Sequence, residues 1–305
     1  MTGEETSVKR MLGKLRGPKK EQSKELATKP LPKEPSDKET VKSQPALEPP
    51  QLIVGCAQSI GKQRDHNEDA LFSLTTTLTS DYQNVPFGLY IVADGMGGHQ
   101  HGEVASGIAI RTMASFLVQK LYAPLLSVKP TPPDQSLLEI MQDGVQEAHR
   151  AITKQVPGGG TTMTAVLILG DQMTVAHVGD SRAYLISNNG NIESLTRDHS
   201  LVKRLVELGQ ITTDEAATHP QRNVLYRALG QGEPFDPDIH SLHLPSSGFL
   251  LLCSDGLWNV VSEAEILRLI KTSYSPEEAC QKLVDAANNA GGPDNITAIL
   301  IRLPG

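Results

Sequence analysis

The chain has 305 residues, of which 38% are hydrophobic, and carries 28 Lys and Arg against 35 Asp and Glu. This length allows one large domain or two small ones with a buried core. The first 50 residues hold 11 Lys and Arg against 8 Asp and Glu, which leaves 17 against 27 and a net charge of −10 for the remainder. So acidic a body disfavours nucleic acid as the main ligand. It suits carboxylates gathered around divalent cations, although a solvated acidic surface would give the same charge.

Membrane and secretion signals are missing from the sequence pattern. No run approaches the roughly 18 apolar residues of a membrane span, and residues 1–5 lack the order of a signal peptide. The three cysteines, at positions 56, 253 and 280, form no CxxC pair. We therefore expect a cytoplasmic protein with no integral membrane span.

Residues 1–50 are predicted to form a disordered tail, and residues 51–305 a folded domain. The tail contains 7 of the 20 prolines and no aromatic residue, so it has little apolar surface to bury. Within it, residues 8–16 place Val8, Met11, Leu12 and Leu15 on one face of a short basic helix. That face would suit a partner or an acidic membrane surface, but a solubilising tail is favoured.

The folded domain begins with an entry strand around Val54. Helical periodicity follows over residues 103–121, with an expected inner face of Val104, Ile108, Met113, Phe116 and Leu117. A proline-rich break at 130–133 precedes a second predicted helix over 135–155.

Four short β-type runs follow, at residues 162–169, 173–178, 182–186 and 192–195. Their links are three to five residues long, and a parallel crossover needs a dozen or more. We therefore predict an antiparallel meander, which excludes a doubly wound Rossmann-type order. The polar, helical residues 200–230 lie between strands and are expected to form a surface excursion beside the site.

Two predicted buried strands end in the pair Asp-Gly, at Asp94-Gly95 and at Asp255-Gly256. A strand end holds a carboxylate in a fixed position. Asp-Gly is also a common turn signal, so one instance alone would indicate only a turn. The repetition favours a functional site.

Four acidic positions lie at strand ends or in glycine-containing turns: Glu68-Asp69, Asp94, Asp255 and Asp294. Oxygen donors without a supporting Cys or His cluster favour Mg²⁺ or Mn²⁺ over zinc. Converging carboxylates would hold two ions about 3.5–4 Å apart, a geometry that activates water against phosphoryl groups. The alternative is that each acid only caps a turn, and four instances make that the weaker interpretation.

Arg64 and two histidines are the further candidates. Arg64 lies four residues before Glu68, where a guanidinium would bind two oxygens of a phosphate; an ordinary surface arginine is the alternative. His99 and His101 are candidate general acids for a leaving group, and a loop histidine facing water is an equal alternative. His99 is preferred because it closes the glycine turn.

Other phosphate chemistries lack their motifs here. No cysteine is followed six residues later by Arg, as a cysteine phosphatase requires, and no GxxxxGK[ST] is present. Asp180 also ends a strand, but the chain runs directly into the next strand, so it is interpreted as a structural turn acid.

The motifs together resemble one family, the metal-dependent protein phosphatases of type 2C (the PPM family), in their bacterial-type branch. They occur in family order over residues 52–303: Arg64-Asp65-His66-Asn67-Glu68-Asp69, Val92-Ala93-Asp94-Gly95-Met96-Gly97-Gly98-His99, Gly160-Thr161-Thr162, Val178-Gly179-Asp180-Ser181-Arg182, Cys253-Ser254-Asp255-Gly256-Leu257-Trp258 and Gly292-Pro293-Asp294-Asn295-Ile296-Thr297.

The resemblance implies an α+β fold, a four-layer α-β-β-α sandwich of two antiparallel sheets flanked by helices. It also implies hydrolysis of phosphoserine and phosphothreonine in proteins, without a phosphoenzyme. The implied partners are phosphorylated proteins and a cognate Ser/Thr kinase in signal transduction, an inference by family analogy. We expect a monomer that does not bind nucleic acid.

The resemblance also assigns roles to residues. Asp94, the carbonyl of Gly95, Asp255 and Asp294 would hold two Mn²⁺ or Mg²⁺ ions, and Glu68 and Asp69 would support them through water. Arg64 would bind phosphate and His99 would donate a proton. Residues 200–230 correspond to the mobile flap of bacterial members, where Arg222 and Asn223 would contact the substrate protein.

One position departs from the family pattern. Bacterial relatives often carry an Asp three residues before the Gly of Gly-Thr-Thr, as part of a third metal site, whereas this chain has Pro157. Proline has no side-chain ligand atom, so a third ion either is absent or is held by other groups, and the two-metal core is unaffected. Two rival functions remain at this stage: a pseudophosphatase that masks phosphosites, which the intact acids disfavour, and a two-metal phosphodiesterase, which the acidic body disfavours.

Overall fold

The structure is a computed structural model that describes residues 51–80, 83–97, 100–129, 133–232 and 235–304. The tail predicted over residues 1–50 lies outside the described residues, as does His99. Within the described ranges, no helix combines the length and hydrophobicity that crossing a membrane requires.

Eleven strands form two sheets in the described part of the chain. Their bounds are β1 Ile53–Ser59, β2 Asp69–Ser80, β3 Gln83–Met96, β4 Gly160–Thr161, β5 Met163–Leu169, β6 Gln172–Val178, β7 Arg182–Ile186, β8 Ile192–Ser194, β9 Asp238–His243, β10 Phe249–Cys253 and β11 Ile296–Arg302. The first sheet has the order β1-β11-β10-β7-β8, and the second has the order β2-β3-β5-β6-β9, with β4 paired to the end of β3. All of these pairings are antiparallel.

Eight α-helices lie in the described part of the chain, and the four longest cover the outer faces of the two sheets. The eight are α1 Gln100–Leu117, α2 Ala123–Leu125, α3 Leu137–Gln155, α4 Leu201–Glu207, α5 Thr213–Thr218, α6 Asp255–Trp258, α7 Glu263–Lys271 and α8 Pro276–Asn289, with a π-helical turn Val118–Tyr122 between α1 and α2. Side-chain oxygens of Ser136, Ser200, Thr212, Ser262 and Ser275 cap five helix N-termini. These caps satisfy backbone N–H groups that have no partner inside the helix.

The core is divided into three layers of buried side chains. One layer lies between the second sheet and helices α1 and α3, one between the first sheet and α7 and α8, and one between the two sheets. A strand that is buried on both faces must be apolar at successive positions. The run Leu250–Cys253 therefore has no polar side chain and is fully buried. The predicted four-layer sandwich is confirmed.

Two details of the sequence prediction are wrong. Strands β6 and β7 are not neighbours, because Gly179-Asp180-Ser181 carries the chain from the second sheet to the first rather than forming a hairpin. A short link excludes a parallel crossover, but it does not require that the two strands pair. Val104, predicted on the inner face of the first helix, is 45% exposed.

His177 on β6 is a buried titratable group. Its ring lies 2.9 Å from Thr164 Oγ1 and 3.1 Å from the carbonyl oxygen of Arg197, and 4.9 Å from the ring of His199. Burial, followed by repulsion from His199, lowers the pKa of His177 to about 4. The folded protein therefore keeps this ring neutral at pH values where the unfolded chain protonates it.

Stability should fall as the pH is lowered from about 6.5 to about 4, because the unfolded chain takes up a proton at His177 first. His177 accounts for up to about 3 kcal/mol of this loss. We expect the pH dependence of the free energy of unfolding, measured with urea in EDTA, to be smaller in His177→Gln. The control is His243→Gln, which removes a histidine that is 77% exposed. An equal pH slope in wild type and His177→Gln would contradict this account.

Candidate active site

A cavity of about 470 Å³ has an acidic wall built from five separate chain segments. Its carboxylates are Asp65, Glu68, Asp94, Asp180, Asp255 and Asp294. They come from the residues before β2, the end of β3, the link between β6 and β7, the start of α6 and the turn before β11. The sandwich thus brings together acids that are up to 229 positions apart in the sequence.

The backbone N–H and carbonyl groups of Asp94 are both hydrogen-bonded to neighbouring threonines. Its N–H donates to Thr162 Oγ1 at 2.9 Å, and its carbonyl oxygen accepts the Thr161 hydroxyl at 2.8 Å and the Thr162 N–H at 2.8 Å. The next residue must be glycine, because a Cβ on Gly95 would lie 2.2 Å from the carbonyl oxygen of Gly102. The Gly-Thr-Thr motif therefore fixes the position of the acid that ends β3.

Asp255 and Asp294 reach the cavity from the other end of the chain. Asp255 is the first residue of α6, so the predicted Asp-Gly turn is the start of a helix. Asp294 Oδ1 accepts the Asn295 N–H at 2.8 Å, and its Oδ2 accepts Arg64 Nη2–H at 2.7 Å. The side chain of Asn295 bonds to the Glu68 N–H and to the carbonyl oxygens of Ile60 and His66. Asn295 thereby ties the segment that carries Arg64 and Glu68 to the segment that carries Asp294.

Asp69 lies behind the cavity wall and opposite Asp94 in the β2–β3 pair. Its Oδ2 accepts the hydroxyls of Ser254 at 2.7 Å and Thr297 at 2.6 Å. Its Oδ1 is buried without a hydrogen-bond partner among the described residues. Burial raises the pKa of Asp69 to about 6, partly offset by the two hydroxyls.

The carboxylates repel one another. Burial, followed by the charges of the neighbouring acids, raises the pKa of Asp94 and of Asp255 well above the usual range. Burial, followed by the charge of Asp198, raises the pKa of Asp180 to about 7. Arg64 is the single arginine among the described residues of the cavity wall. The wall therefore offers hard oxygen donors whose negative charge the one arginine does not balance. Such a site fits a divalent cation of the Mg²⁺ or Mn²⁺ class.

The carboxylates bond to protein partners in this structure. Asp255 Oδ2 accepts a hydrogen bond from Asn259 Nδ2 at 3.2 Å, and Asp294 pairs with Arg64. Across the described ranges, no three His, Cys, Asp or Glu side chains stand ready as a set of ligands. The donor chemistry therefore fits a cation, and binding would require these side chains to change partners.

The remaining predicted site residues are found at different places. Glu68 lines the cavity and its Oε1 lies 3.0 Å from His66 Nε2. Asn223 lines it from the flap together with Leu225, whereas Arg222 is exposed and is not part of the wall. His101 is exposed on α1 and is also outside the wall.

Further polar groups in the wall were missed by the sequence analysis. Asp180, interpreted as a structural turn acid, lines the cavity, and so do Asp65 and Thr162. The signal for Asp180 was present, because it follows a buried strand as Asp94 does. Only the placement of β6 and β7 in different sheets shows that the link between them faces the same cavity.

The family model for protein phosphatase 2C matches residues 55–296. The chain belongs to the protein phosphatase 2C family. The serine/threonine phosphatase stp of Listeria welshimeri is 36% identical over 247 residues, which cover 79% of this chain and 92% of that protein. These matches confirm the family that the motifs predict, and the chain is a metal-dependent protein phosphatase.

Solved structures of the 2C type share the fold. The Mycobacterium tuberculosis serine/threonine phosphatase PstP/Ppp aligns with a TM-score of 0.70 and 32% identity, over 84% of this chain and all of that chain. The catalytic domain of PstP in complex with two manganese ions aligns with a TM-score of 0.67 and 30% identity, over 84% of this chain and 99% of that chain. These neighbours place the chain in the bacterial-type branch.

Removing one acid should separate metal binding from folding. We expect Asp94→Asn to raise the melting temperature of the metal-free protein, because it relieves repulsion among crowded carboxylates. The same variant should lose the further stabilisation that Mn²⁺ produces. For wild type, this stabilisation is about 2.7 kcal/mol of unfolding free energy when the Mn²⁺ concentration is 100 times the dissociation constant. Thermal unfolding with EDTA or Mn²⁺ measures both effects. Asp171→Asn, which changes an acid that is 85% exposed, is the control, and an undiminished Mn²⁺ effect in Asp94→Asn would contradict the assignment.

Proposed function

We propose that this chain hydrolyses phosphoserine and phosphothreonine in proteins, using two Mn²⁺ or Mg²⁺ ions, and that it counteracts a Ser/Thr protein kinase. The observation that carries the proposal is the convergence of six carboxylates and one arginine in a single cavity of a type 2C fold. We assign the activity to residues 51–305, with residues 1–50 as an appended tail. The substrate is then a phosphoprotein, and the working unit a monomer.

The side chains of Asp94, Asp255 and Asp294 and the carbonyl of Gly95 would hold the two ions. Glu68 and Asp69 would support them through bound water, and the free Oδ1 of Asp69 suits that role. When bound, such ions supply the positive charge that activates a water molecule for attack on phosphorus. We assign two ions rather than three, because Pro157 offers no ligand atom where the third site of bacterial relatives has an Asp.

Arg64 would bind the phosphate of the substrate. Its guanidinium lies at the cavity mouth, is 48% exposed and donates to Asp294. A phosphate dianion offers two oxygens that match the two-pronged guanidinium. When Arg64 turns from Asp294 to the phosphate, Asp294 becomes available as a metal ligand. Phosphate binding and metal binding would therefore favour the same movement of Arg64.

Hydrolysis forms a bond between water oxygen and phosphorus and breaks the bond from phosphorus to the Ser or Thr oxygen. The departing oxygen takes up a proton, for which His99 is the donor that the family resemblance implies. Among the described residues of the wall, Thr162 is the only one with a hydroxyl, and no cysteine is present. The Thr162 hydroxyl is engaged by the Asp94 N–H and by Ser181 Oγ. This supports direct attack by water without a phosphoenzyme.

The flap would contact the protein that carries the phosphate. Asn223 and Leu225 are part of the cavity wall, and Arg222 is exposed beside them. A phosphorylated side chain that enters the cavity would bring its own backbone against these residues. Arg222 and Asn223 are therefore our candidates for substrate binding.

The purified protein should release phosphate from a phosphothreonine peptide. EDTA should abolish the release and Mn²⁺ or Mg²⁺ should restore it, because the carboxylates need cations to act. Malachite green detection of phosphate measures the rate. No release from phosphopeptides by protein that shows the Mn²⁺ thermal shift would overturn the proposal and favour a phosphosite-masking pseudophosphatase.

Arg64→Ala should lower kcat/KM for the phosphopeptide by about 10- to 150-fold, the equivalent of 1.5–3 kcal/mol for hydrogen bonds to a charged group. The loss should appear mainly in KM if Arg64 grips the phosphate throughout the reaction. Lys62→Ala is the matched control, since Lys62 is an exposed cation two residues away that does not line the cavity. Equal effects of the two substitutions would show that only the general positive charge matters.

A further inference from the structure

The flap, residues 200–230, leaves and rejoins the body at one place. Ser200 and Leu225 form an isolated antiparallel bridge. The Leu201 N–H donates to the Val224 carbonyl oxygen at 2.8 Å, and the Tyr226 N–H donates to the His199 carbonyl oxygen at 2.9 Å. The two ends of the flap are therefore joined to each other next to the cavity residue Leu225.

His199 connects this junction to the cavity wall. Its N–H donates to the Gly179 carbonyl oxygen at 2.7 Å, and its Nδ1 accepts the Gly179 N–H at 3.2 Å. Because Nδ1 accepts, the ring proton is on Nε2, which donates to Asp238 Oδ2 at 3.1 Å. The ring is only 1% exposed. His199 thus holds both polar backbone groups of the residue that precedes Asp180.

Asp238 on β9 is the point where two parts of the flap junction meet the body. Its Oδ2 accepts from His199, and its Oδ1 accepts from Arg227 Nη1 at 3.0 Å. Arg227 lies two residues beyond Leu225. One carboxylate on a strand of the sheet therefore anchors both the entry and the exit of the flap. Asp238 does not line the cavity.

A second ion pair joins the junction to α6. Arg182 makes two hydrogen bonds to Asp198, at 2.9 and 2.7 Å. The Arg182 guanidinium also stacks over the ring of Trp258 at 3.5 Å, and Trp258 Nε1–H donates to the Asp180 carbonyl oxygen at 3.0 Å. The flap entry is thereby tied to the helix that begins with Asp255. Together, Arg182, Asp198, His199, Arg227 and Asp238 are called the flap-base network.

We propose that the flap-base network fixes the position of the flap over the cavity, and thereby sets the preference of the enzyme for a phosphoprotein over a small phosphate ester. The proposal rests on the function proposed above. A phosphorylated protein reaches beyond the cavity onto the flap, whereas p-nitrophenyl phosphate occupies the cavity alone. A misplaced flap should therefore weaken the first substrate more than the second. The five residues are positioning residues, because they act through Asn223 and Leu225.

Asp238→Asn is the most direct test, because the side chain is 45% exposed and lies outside the cavity wall. The matched control is Asp171→Asn, which alters another carboxylate that faces a histidine on β9, with 3.8 Å between Asp171 Oδ2 and His243 Nδ1. We expect the ratio of kcat/KM for a phosphothreonine peptide to that for p-nitrophenyl phosphate to fall about three- to thirtyfold in Asp238→Asn. The change should lie mainly in the KM of the peptide. The control should keep the wild-type ratio.

Two substitutions of His199 separate its two contacts. His199→Asn places an amide near the Nδ1 position and keeps a partner for Gly179, but it cannot reach Asp238. His199→Gln places its amide near the Nε2 position and keeps the bond to Asp238. We expect His199→Asn to lower the ratio of the two kcat/KM values, peptide to p-nitrophenyl phosphate, as Asp238→Asn does. The double variant should show no further loss. In His199→Gln this ratio should stay closer to the wild-type value.

Hydrogen exchange gives a second readout that does not depend on activity. The amides of Leu201 and Tyr226 should exchange faster in Asp238→Asn than in wild type or the control. Unchanged exchange at both amides would overturn the proposal, even in a protein that hydrolyses neither substrate. An equal loss with both substrates would also overturn it, because the network would then act through the carboxylates. Failure of wild type to hydrolyse the peptide would instead count against the proposed function.

Discussion

The mutual repulsion of carboxylates in one cavity is the constraint on which the rest of this structure depends. Asp94, Asp180 and Asp255 are ionised only at a cost, because burial and neighbouring charge both raise their pKa values. Folding must therefore hold in place groups that would otherwise move apart. The structure does this with backbone contacts: Thr161 and Thr162 hold Asp94, and Asn295 joins the segments of Glu68 and Asp294. The cation requirement of the enzyme follows from the same repulsion.

The two-sheet architecture makes this crowding possible. Acids in or next to strands of both sheets line the cavity, and the space between the sheets is filled by apolar side chains. The link Gly179-Asp180-Ser181 crosses from the second sheet to the first and brings Asp180 to the boundary between them. A hairpin at this point would have kept β6 and β7 in one sheet, and the acid would have remained an ordinary turn residue.

The same link joins the cavity to the flap. Gly179 is bonded to His199, the Asp180 carbonyl oxygen to Trp258, and Arg182 to Asp198. The flap residues that we propose for substrate binding and the carboxylates of the cavity are thus joined through one short segment of chain. Under our proposal, differences in the flap junction would change substrate preference within a family that shares one sandwich.

The sequence by itself determined the family and the four-layer sandwich. It also predicted that Asp94, Asp255 and Asp294 belong to one site, because short motifs and strand-end positions are local features. It also indicated most strands, since buried strands need continuous apolar runs. Only the tertiary structure decided that β6 and β7 belong to different sheets and that Asp180 lines the cavity. It alone showed that Asp238 anchors both ends of the flap. Such pairings join residues far apart in the chain, and no local pattern records which distant partner a side chain will meet.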